Sequence, residues 1–279
     1  MVVLITGCRS GFGKDTALTL ARNGHHVYAG LRDVHTATEL LEDAGGLPIT
    51  AVQLDVTNDD QRRQVVDDII KAHGRIDALV NNAGIAINGP VELFSEKELR
   101  RMFEVNFFGL WSLTNAVLPQ MRAQGFGTVV NVSSMAGRSA LPTMGAYAAS
   151  KHAVSGMSEA LRMEVRADGI HVVLIEPGPY KTDLFTRNQM TCAAALLPDS
   201  PYQHLMERMA ALQNHAGGRG GRPSEVAERI AAVLQHPSPP LRNPMGPHVR
   251  LRRLARWMLP AGMYEWIVYR GIYGAKPTK

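Results

Sequence analysis

Tyr147 and Lys151 stand four residues apart in the helix-compatible run "MGAYAASKHA". Unperturbed tyrosine titrates near ~10 and lysine near ~10.4, so neither is reactive alone at neutral pH. On a helix, residues four apart share a face, which puts Lys151 one turn from Tyr147. An ammonium there favours phenolate and is expected to lower the tyrosine's pKa. A tyrosine tuned toward neutrality can take or give the proton of alcohol–ketone interconversion. Ser134 ends the apolar run "GTVVNVSS" at 127–134, on a sheet rim where ligands gather, and its hydroxyl can hydrogen-bond a substrate oxygen. Asn106 sits in "EVNFFG" among bulky apolar residues of a long helical pattern. It either belongs to this set or is a buried amide satisfied by backbone.

Proton transfer of this kind needs a hydride partner, and a second motif offers a place for one. "TGCRSGFG" carries Gly7, Gly11 and Gly13 between a first strand and a first helix. Glycines there let the backbone approach a pyrophosphate, and the helix N-terminus supplies free N–H groups and partial positive charge. The alternative is a tight strand-to-helix turn with no ligand. An acid at the end of the second strand would bind the ribose 2′-hydroxyl of NAD, whereas an arginine accommodates the 2′-phosphate of NADP. That strand ends "YAGLRD", with Leu31 in the acid's place and Arg32 after it. With Arg9 in the glycine loop as a second positive group, NADP(H) is favoured over NAD(H). The alternative for Arg32 is a solvated surface charge, and Asp33 could belong to the next helix. Asp55 in "LDV" lies either near an adenine or at a helix cap, and "NNAG" at 81–84 suits a turn that presents backbone to a ligand.

The elements that must position these groups are legible as a pattern. Apolar runs at 2–6, 26–31, 49–56, 76–84, 127–134 and 170–178 alternate with helical patterns to about 23, at 59–73, 96–123, 145–167 and 224–235. Near-continuous apolar strands separated by helices predict a parallel sheet covered on both faces. The 279 residues suffice for one large α/β domain. Hydrophobic residues at 45% and charged residues at 20% are a globular balance. Cys8 and Cys192 form neither a disulfide framework nor a metal spacing, and free thiols in a reducing compartment are expected. His25-His26 lacks a third ligand nearby, and consecutive strand residues face opposite ways, so no metal is expected. "MVVLITG" enters a strand at once, without a signal-peptide pattern, and no apolar run approaches the ~20 residues of a membrane span. A cytoplasmic location follows as the expectation.

With these features in order along the chain, the sequence resembles the short-chain dehydrogenase/reductase family. The resemblance rests on Gly7/Gly11/Gly13, Asp55, Asn81-Asn82-Ala83-Gly84, Asn106, Ser134, Tyr147-x-x-x-Lys151, and Pro177-Gly178 followed by Thr182. It covers about residues 1–182, and the helix after Pro223 extends it to about 246. It implies a Rossmann-type doubly wound sheet of about seven strands in a single domain, 1–246, with a C-terminal extension, 247–279. It also implies Tyr147 as general acid/base and Lys151 as holder of the nicotinamide ribose. Ser134 would polarise the substrate carbonyl, and Asn106 would anchor a water linking Lys151 to solvent. The cofactor would lie along Thr6, Gly7, Arg9, Ser10, Gly11, Phe12, Gly13, Arg32, Asp55, Val56, Asn82, Ala83, Gly84, Tyr147, Lys151, Pro177, Gly178 and Thr182. Dimers or tetramers built on the two long helices are usual in such proteins. "TGCRSGFG" and "EPGPYKTDL" look most like the branch of retinol and 17β-hydroxysteroid dehydrogenases and their bacterial relatives, which implies a hydrophobic alcohol or ketone. A nucleotide-binding regulator or scaffold of the same fold is the main alternative. A sugar-nucleotide epimerase or dehydratase fits less well.

Residues 183–222 are expected to form the substrate loop and its helices. Leu184, Phe185, Met190, Leu196, Leu197, Leu205, Met206 and Met209 either line a greasy pocket or pack ordinary amphipathic helices. "GGRGGRP" at 217–223 reads as a hinge before a helix rather than an RNA-binding segment. The charge of the tail stands apart. Residues 242–279 hold eight Lys/Arg and one acid, a net +7, against −2 for residues 1–241 and +5 overall. Basic residues are not spread over a folded face as in nucleic-acid binders. In the tail, Leu251, Leu254, Ala255 and Met258 share a helical face beside Arg250, Arg252, Arg253 and Arg256, with Trp257 and Trp266 nearby, and Pro260 and Gly262 break the pattern in two. Two roles fit: a lid or subunit interface, which is favoured, or contact with a membrane surface.

Overall fold

The computed structural model describes residues 1–185, 188–218, 220–246 and 249–274, with the side chains of 185, 216–218 and 250–253 outside that set. Its strands are β1 (Val2–Thr6), β2 (His26–Leu31), β3 (Ile49–Gln53), β4 (Ala78–Asn81), β5 (Ile87–Asn88), β6 (Gly127–Val132), β7 (Ile170–Pro177), β8 (Met190–Thr191) and β9 (Arg242–Met245). Seven of them form one sheet in the order β3-β2-β1-β4-β6-β7-β9, and every pairing is parallel. β5 and β8 make a separate two-stranded pair. The strand order reverses between β1 and β4, and ligands bind such sheets in the crevice at that switch point, beyond the carboxyl ends of the strands.

Alternate residues of each strand go to opposite layers, so both faces must be apolar. Val3 and Ile5 pack with Ala17 and Leu20 of α1 (Gly11–Arg22) and Ile230 of α8 (Pro223–Gln235). Leu4 and Leu79 pack instead with Val66 and Ile69 of α3 (Asp59–His73) and Leu113 and Val117 of α5 (Gly109–Gln124). The remaining helices are α2 (Thr38–Ala44), α4 (Glu96–Phe103), α6 (Gly145–Glu164), α7 (Gln203–Gly218), α9 (Val249–Met258) and α10 (Ala261–Tyr273). Both cysteines are buried and free. Among the described residues, no helix is long and apolar enough to cross a membrane.

Several boundaries differ from the sequence reading. The helix expected at 96–123 is two helices, α4 and α5, joined by a π turn over Glu104–Phe108. A π turn adds a residue to the ring of each hydrogen bond and re-aims what it carries, here Asn106. The seventh strand, "RNPM", shows no apolar run. It qualifies as a strand only because it pairs on one side, with β7, and such an edge tolerates Pro244. Pro260 separates α9 from α10 as expected, but Gly262 lies inside α10 rather than breaking it.

Candidate active site

Every sheet loop that reaches the switch point contributes to one cleft of about 930 Å³. At one end of it, Gly7 and Gly11 have φ of +73° and +58°, a region that costs other residues strain. Ser10 precedes α1 in extended conformation without a side-chain cap, and no acid stands in the first helical turn. The leading N–H groups of α1 are therefore left for an anion. Gly13 serves the turn rather than the cleft: a Cβ there would collide with the Gly7 carbonyl and the Asn82 amide. Thr6 likewise does not line the cleft. It is buried, and its hydroxyl accepts the main-chain N–H of Asn82 at 3.0 Å and of Ala83 at 2.9 Å. The Asn82 side chain donates back to the carbonyls of Thr6 and Gly7 at 2.9 and 3.1 Å, so β1 and β4 are laced together beneath the glycine loop.

Around this end, Arg9, Ser10, Phe12, Arg32, Asp55, Val56, Asn82, Ala83, Gly84, Pro177, Gly178 and Thr182 all line the cleft. Leu31 is buried at the end of β2, so that strand ends without an acid. Arg32 and Arg9 are exposed, and neither forms an ion pair among the described residues. Gln53 staples the turn that carries Arg32, accepting from Val34 N at 2.9 Å and donating to Arg32 O at 2.6 Å. Asp33 caps the short 3-10 turn that follows, and so belongs to the next helical element. Asp55 does not cap a helix; Asn58 caps α3. One Asp55 oxygen accepts both the amide and the hydroxyl of Thr57, which fixes its carboxylate on the cleft wall.

At the other end, Ser134, Tyr147 and Lys151 converge. Ser134 Oγ accepts the Ala136 N–H at 3.0 Å, which leaves its own proton for a hydrogen bond to the Tyr147 phenol. Lys151 Nζ donates to Val132 O at 2.9 Å and lies 5.9 Å from the Tyr147 ring centre. The expected lowering of the tyrosine's pKa is not what this environment produces. Burial pushes Tyr147 up to about 12, and the Ser134 hydrogen bond only opposes that. Burial also drives Lys151 down to about 8. Desolvation penalises both charged forms, and it outweighs the attraction that spacing alone suggested.

Asn106 lies behind the cleft rather than in it. Its Oδ1 accepts Ile85 N at 2.8 Å, and its Nδ2 donates to Ile85 O at 2.9 Å and to Ser150 Oγ at 3.0 Å. The amide thus clamps the loop after β4 to α6, the helix that carries Tyr147 and Lys151. Its side chain is engaged by protein on both ends, the backbone-satisfied alternative of the sequence reading. Gly84 sits against it: a Cβ there would lie 3.3 Å from Asn106 Oδ1 and 3.6 Å from Lys151 Nζ.

Several supporting residues escaped the sequence reading. Gly137 lets the Ser134 loop lie on α6, since a Cβ would come within 2.7 Å of both Lys151 O and Ser133 Oγ. Thr143, between Ser134 and Tyr147, has φ +64°, a strained setting for a β-branched residue. Glu176, fully buried beside Pro177, accepts Arg138 Nε at 2.7 Å and Arg242 Nη1 at 2.5 Å. Gly137 had a signal, a glycine just past a rim serine; the other two had none. In residues 183–222, Leu184 and Met190 line the cleft, Met206 packs against the same cluster, and Met209 is buried. Leu205 is half-buried, whereas Leu196 and Leu197 are corrected to solvent-exposed positions. The side chain of Phe185 lies outside the described residues.

Comparison with known proteins agrees with this geometry. The short chain dehydrogenase family profile matches residues 1–192. The 3-ketodihydrosphingosine reductase of Bacteroides thetaiotaomicron is 36% identical over 266 residues, 95% of each chain. Retinol dehydrogenase 8 of Bos taurus is 35% identical over 251 residues, 86% of this chain and 80% of that one. A solved short-chain dehydrogenase from Streptomyces avermitilis superposes with a TM-score of 0.81 at 33% identity, over 97% of this chain and 98% of that one. A serine dehydrogenase solved with NADP+ gives 0.76 at 26% identity, over 88% and 95%.

Proposed function

The chain belongs to the short-chain dehydrogenase/reductase family and is an oxidoreductase of it, and from that premise we propose that it interconverts a hydroxyl and a carbonyl on a hydrophobic, lipid-like substrate with NADP(H). The observation that carries this reading is the convergence of Ser134, Tyr147 and Lys151 in the same cleft as the uncapped glycine turn. The turn fits a dinucleotide: left-handed glycines open the main chain, and Arg9 and Arg32 line the cleft without an ion pair among the described residues, which supports an NADP 2′-phosphate as their partner. When bound, NADPH supplies the hydride; the protein supplies position and proton. With substrate bound, Ser134 turns its one proton from the Tyr147 phenol to the substrate oxygen. Tyr147, held neutral by burial, donates its proton to that oxygen, which favours carbonyl reduction at neutral pH. Lys151, protonated below about pH 8, holds the ribose and draws the phenol toward ionisation as proton is lost.

The substrate class rests on Leu184, Met190 and Met206 in one cluster, and on the sphingoid and retinoid named in two relatives. Phe108, Trp111 and Met163 are exposed on or beside α5 and α6, which supports a dimer or tetramer built on those helices. Two free buried thiols support a cytoplasmic setting. The test is Tyr147→Phe assayed with NADPH and long-chain ketones. Turnover should fall by about 10³-fold or more, with cofactor binding within a few-fold of wild type. Substantial retained turnover would refute the role of Tyr147. NADPH binding by the wild type without oxidation across a broad carbonyl panel would favour a regulator instead.

A further inference from the structure

We propose that the hairpin of α9 and α10 docks the enzyme on an anionic lipid bilayer. The hairpin has one face held to its own domain and another left open. On the held face, Tyr264 and Ile272 are buried, the Tyr264 hydroxyl meets Ser139 Oγ at 2.5 Å, and Arg208 Nη1 donates to Ile272 O at 2.8 Å. These bonds fasten α10 to the loop that follows Ser134 and to α7. Val249, at the start of α9, packs against Gly178 of the cleft. On the open face, Leu254, Trp257 and Met258 follow one another at helical spacing on α9, and Met263, Trp266 and Ile267 do so on α10. Trp257 is 82% exposed and Trp266 is 55% exposed, far outside the normal range for a residue this apolar.

Charge selects the occupant. The hairpin belongs to the segment with eight Lys/Arg and one acid, while the rest of the chain carries −2. In a two-fold dimer each patch meets its own copy, and residues 249–274 hold five arginines against one acid, which would set +4 against +4. An anionic bilayer complements it, attracting each basic side chain near the surface and taking tryptophan at headgroup depth. Arg270 lies 4.6 Å over the Trp266 ring and Arg256 lies 5.3 Å over the Tyr264 ring, so cation and aromatic already sit together as an interfacial surface requires. Arg250, Leu251, Arg252 and Arg253 contribute to the sequence count only, since their side chains lie outside the described residues. The docking does not depend on which carbonyl the site reduces.

The chain has three tryptophans, and two are in the hairpin, so Trp111→Phe isolates their emission. Full-length Trp111→Phe protein is mixed with phosphatidylcholine vesicles, with and without about one-third phosphatidylserine. A blue shift and co-sedimentation with the anionic vesicles, weakened by high salt, are expected. Trp257→Ser/Trp266→Ser in the wild-type background should bind at least about tenfold more weakly, from the apolar area it no longer buries. Its turnover on a water-soluble ketone should be unchanged. No blue shift, or equal sedimentation of the wild type and the double variant, would overturn the proposal. So would a smaller species for the double variant in vesicle-free ultracentrifugation, which would make the face an interface between copies.

Discussion

Lys151 is a lysine with a charge it can barely keep, and that has a consequence for stability that does not depend on catalysis. In the folded apo-protein burial lowers it to about 8, while in the unfolded chain it titrates near ~10.4. Between those values the unfolded chain binds the extra proton. Stability rises with pH wherever the unfolded state binds more protons, at up to about 1.4 kcal/mol per pH unit for one group. The Lys151 contribution is therefore least favourable below pH 8, and the folded state gains about 2–3 kcal/mol from it between pH 7 and pH 10. Lys151→Met removes this dependence. Groups that act in the opposite sense, such as the buried Cys8 thiol and the Tyr147 and Tyr180 phenols, all raised by burial, are common to both proteins. They cancel in the difference. The variant also leaves Val132 O without its donor, but that loss is the same at every pH. The assay is urea unfolding of apo wild type and Lys151→Met at pH 7, 8, 9 and 10, followed by tryptophan fluorescence. The wild type should gain on the variant by about 2–3 kcal/mol across the range. Parallel curves would mean that Lys151 is solvated in the folded state, and the reasoning about burial at this site would fail with it.

Two further outcomes follow from the site. Arg32→Ala with Arg9→Ala should weaken NADPH binding by about 10–100-fold, the worth of charge-assisted contacts to a phosphate, and leave NADH nearly unaffected. Equal losses for both cofactors, read by fluorescence titration, would place the 2′-phosphate elsewhere. Gly137→Ala should destabilise by about 1–3 kcal/mol through overpacking and reduce kcat more than cofactor affinity, because the new methyl pushes the Ser134 loop off Lys151 O and Ser133 Oγ. A thermal melt and a steady-state comparison test it, and an unaltered melt would show that the loop yields freely.

Features that depend on neighbours along the chain are legible in the amino-acid sequence itself. The glycine turn, the apolar strand runs and the one-turn spacing of Tyr147 and Lys151 are local, so hydrophobic period and residue type disclose them. Charge asymmetry sets the tail apart for the same reason. Features that depend on what packs from elsewhere are not legible in this way. "RNPM" becomes a strand only because β7 offers it hydrogen bonds. The π turn at Glu104–Phe108 is held by Asn106 reaching Ile85, 21 residues away in sequence. The Arg138–Glu176–Arg242 cluster joins the loop after Ser134 to strands β7 and β9 by burial rather than by motif. The direction of the Tyr147 shift turns on the same cause. Spacing places a cation one turn away, but only tertiary packing decides how much water both groups lose, and desolvation outweighs a single nearby charge. In the tail, helical spacing yields an apolar face; which side the domain covers, and so which side is left for a partner, is settled by Tyr264 and Ser139 meeting across 125 residues of chain.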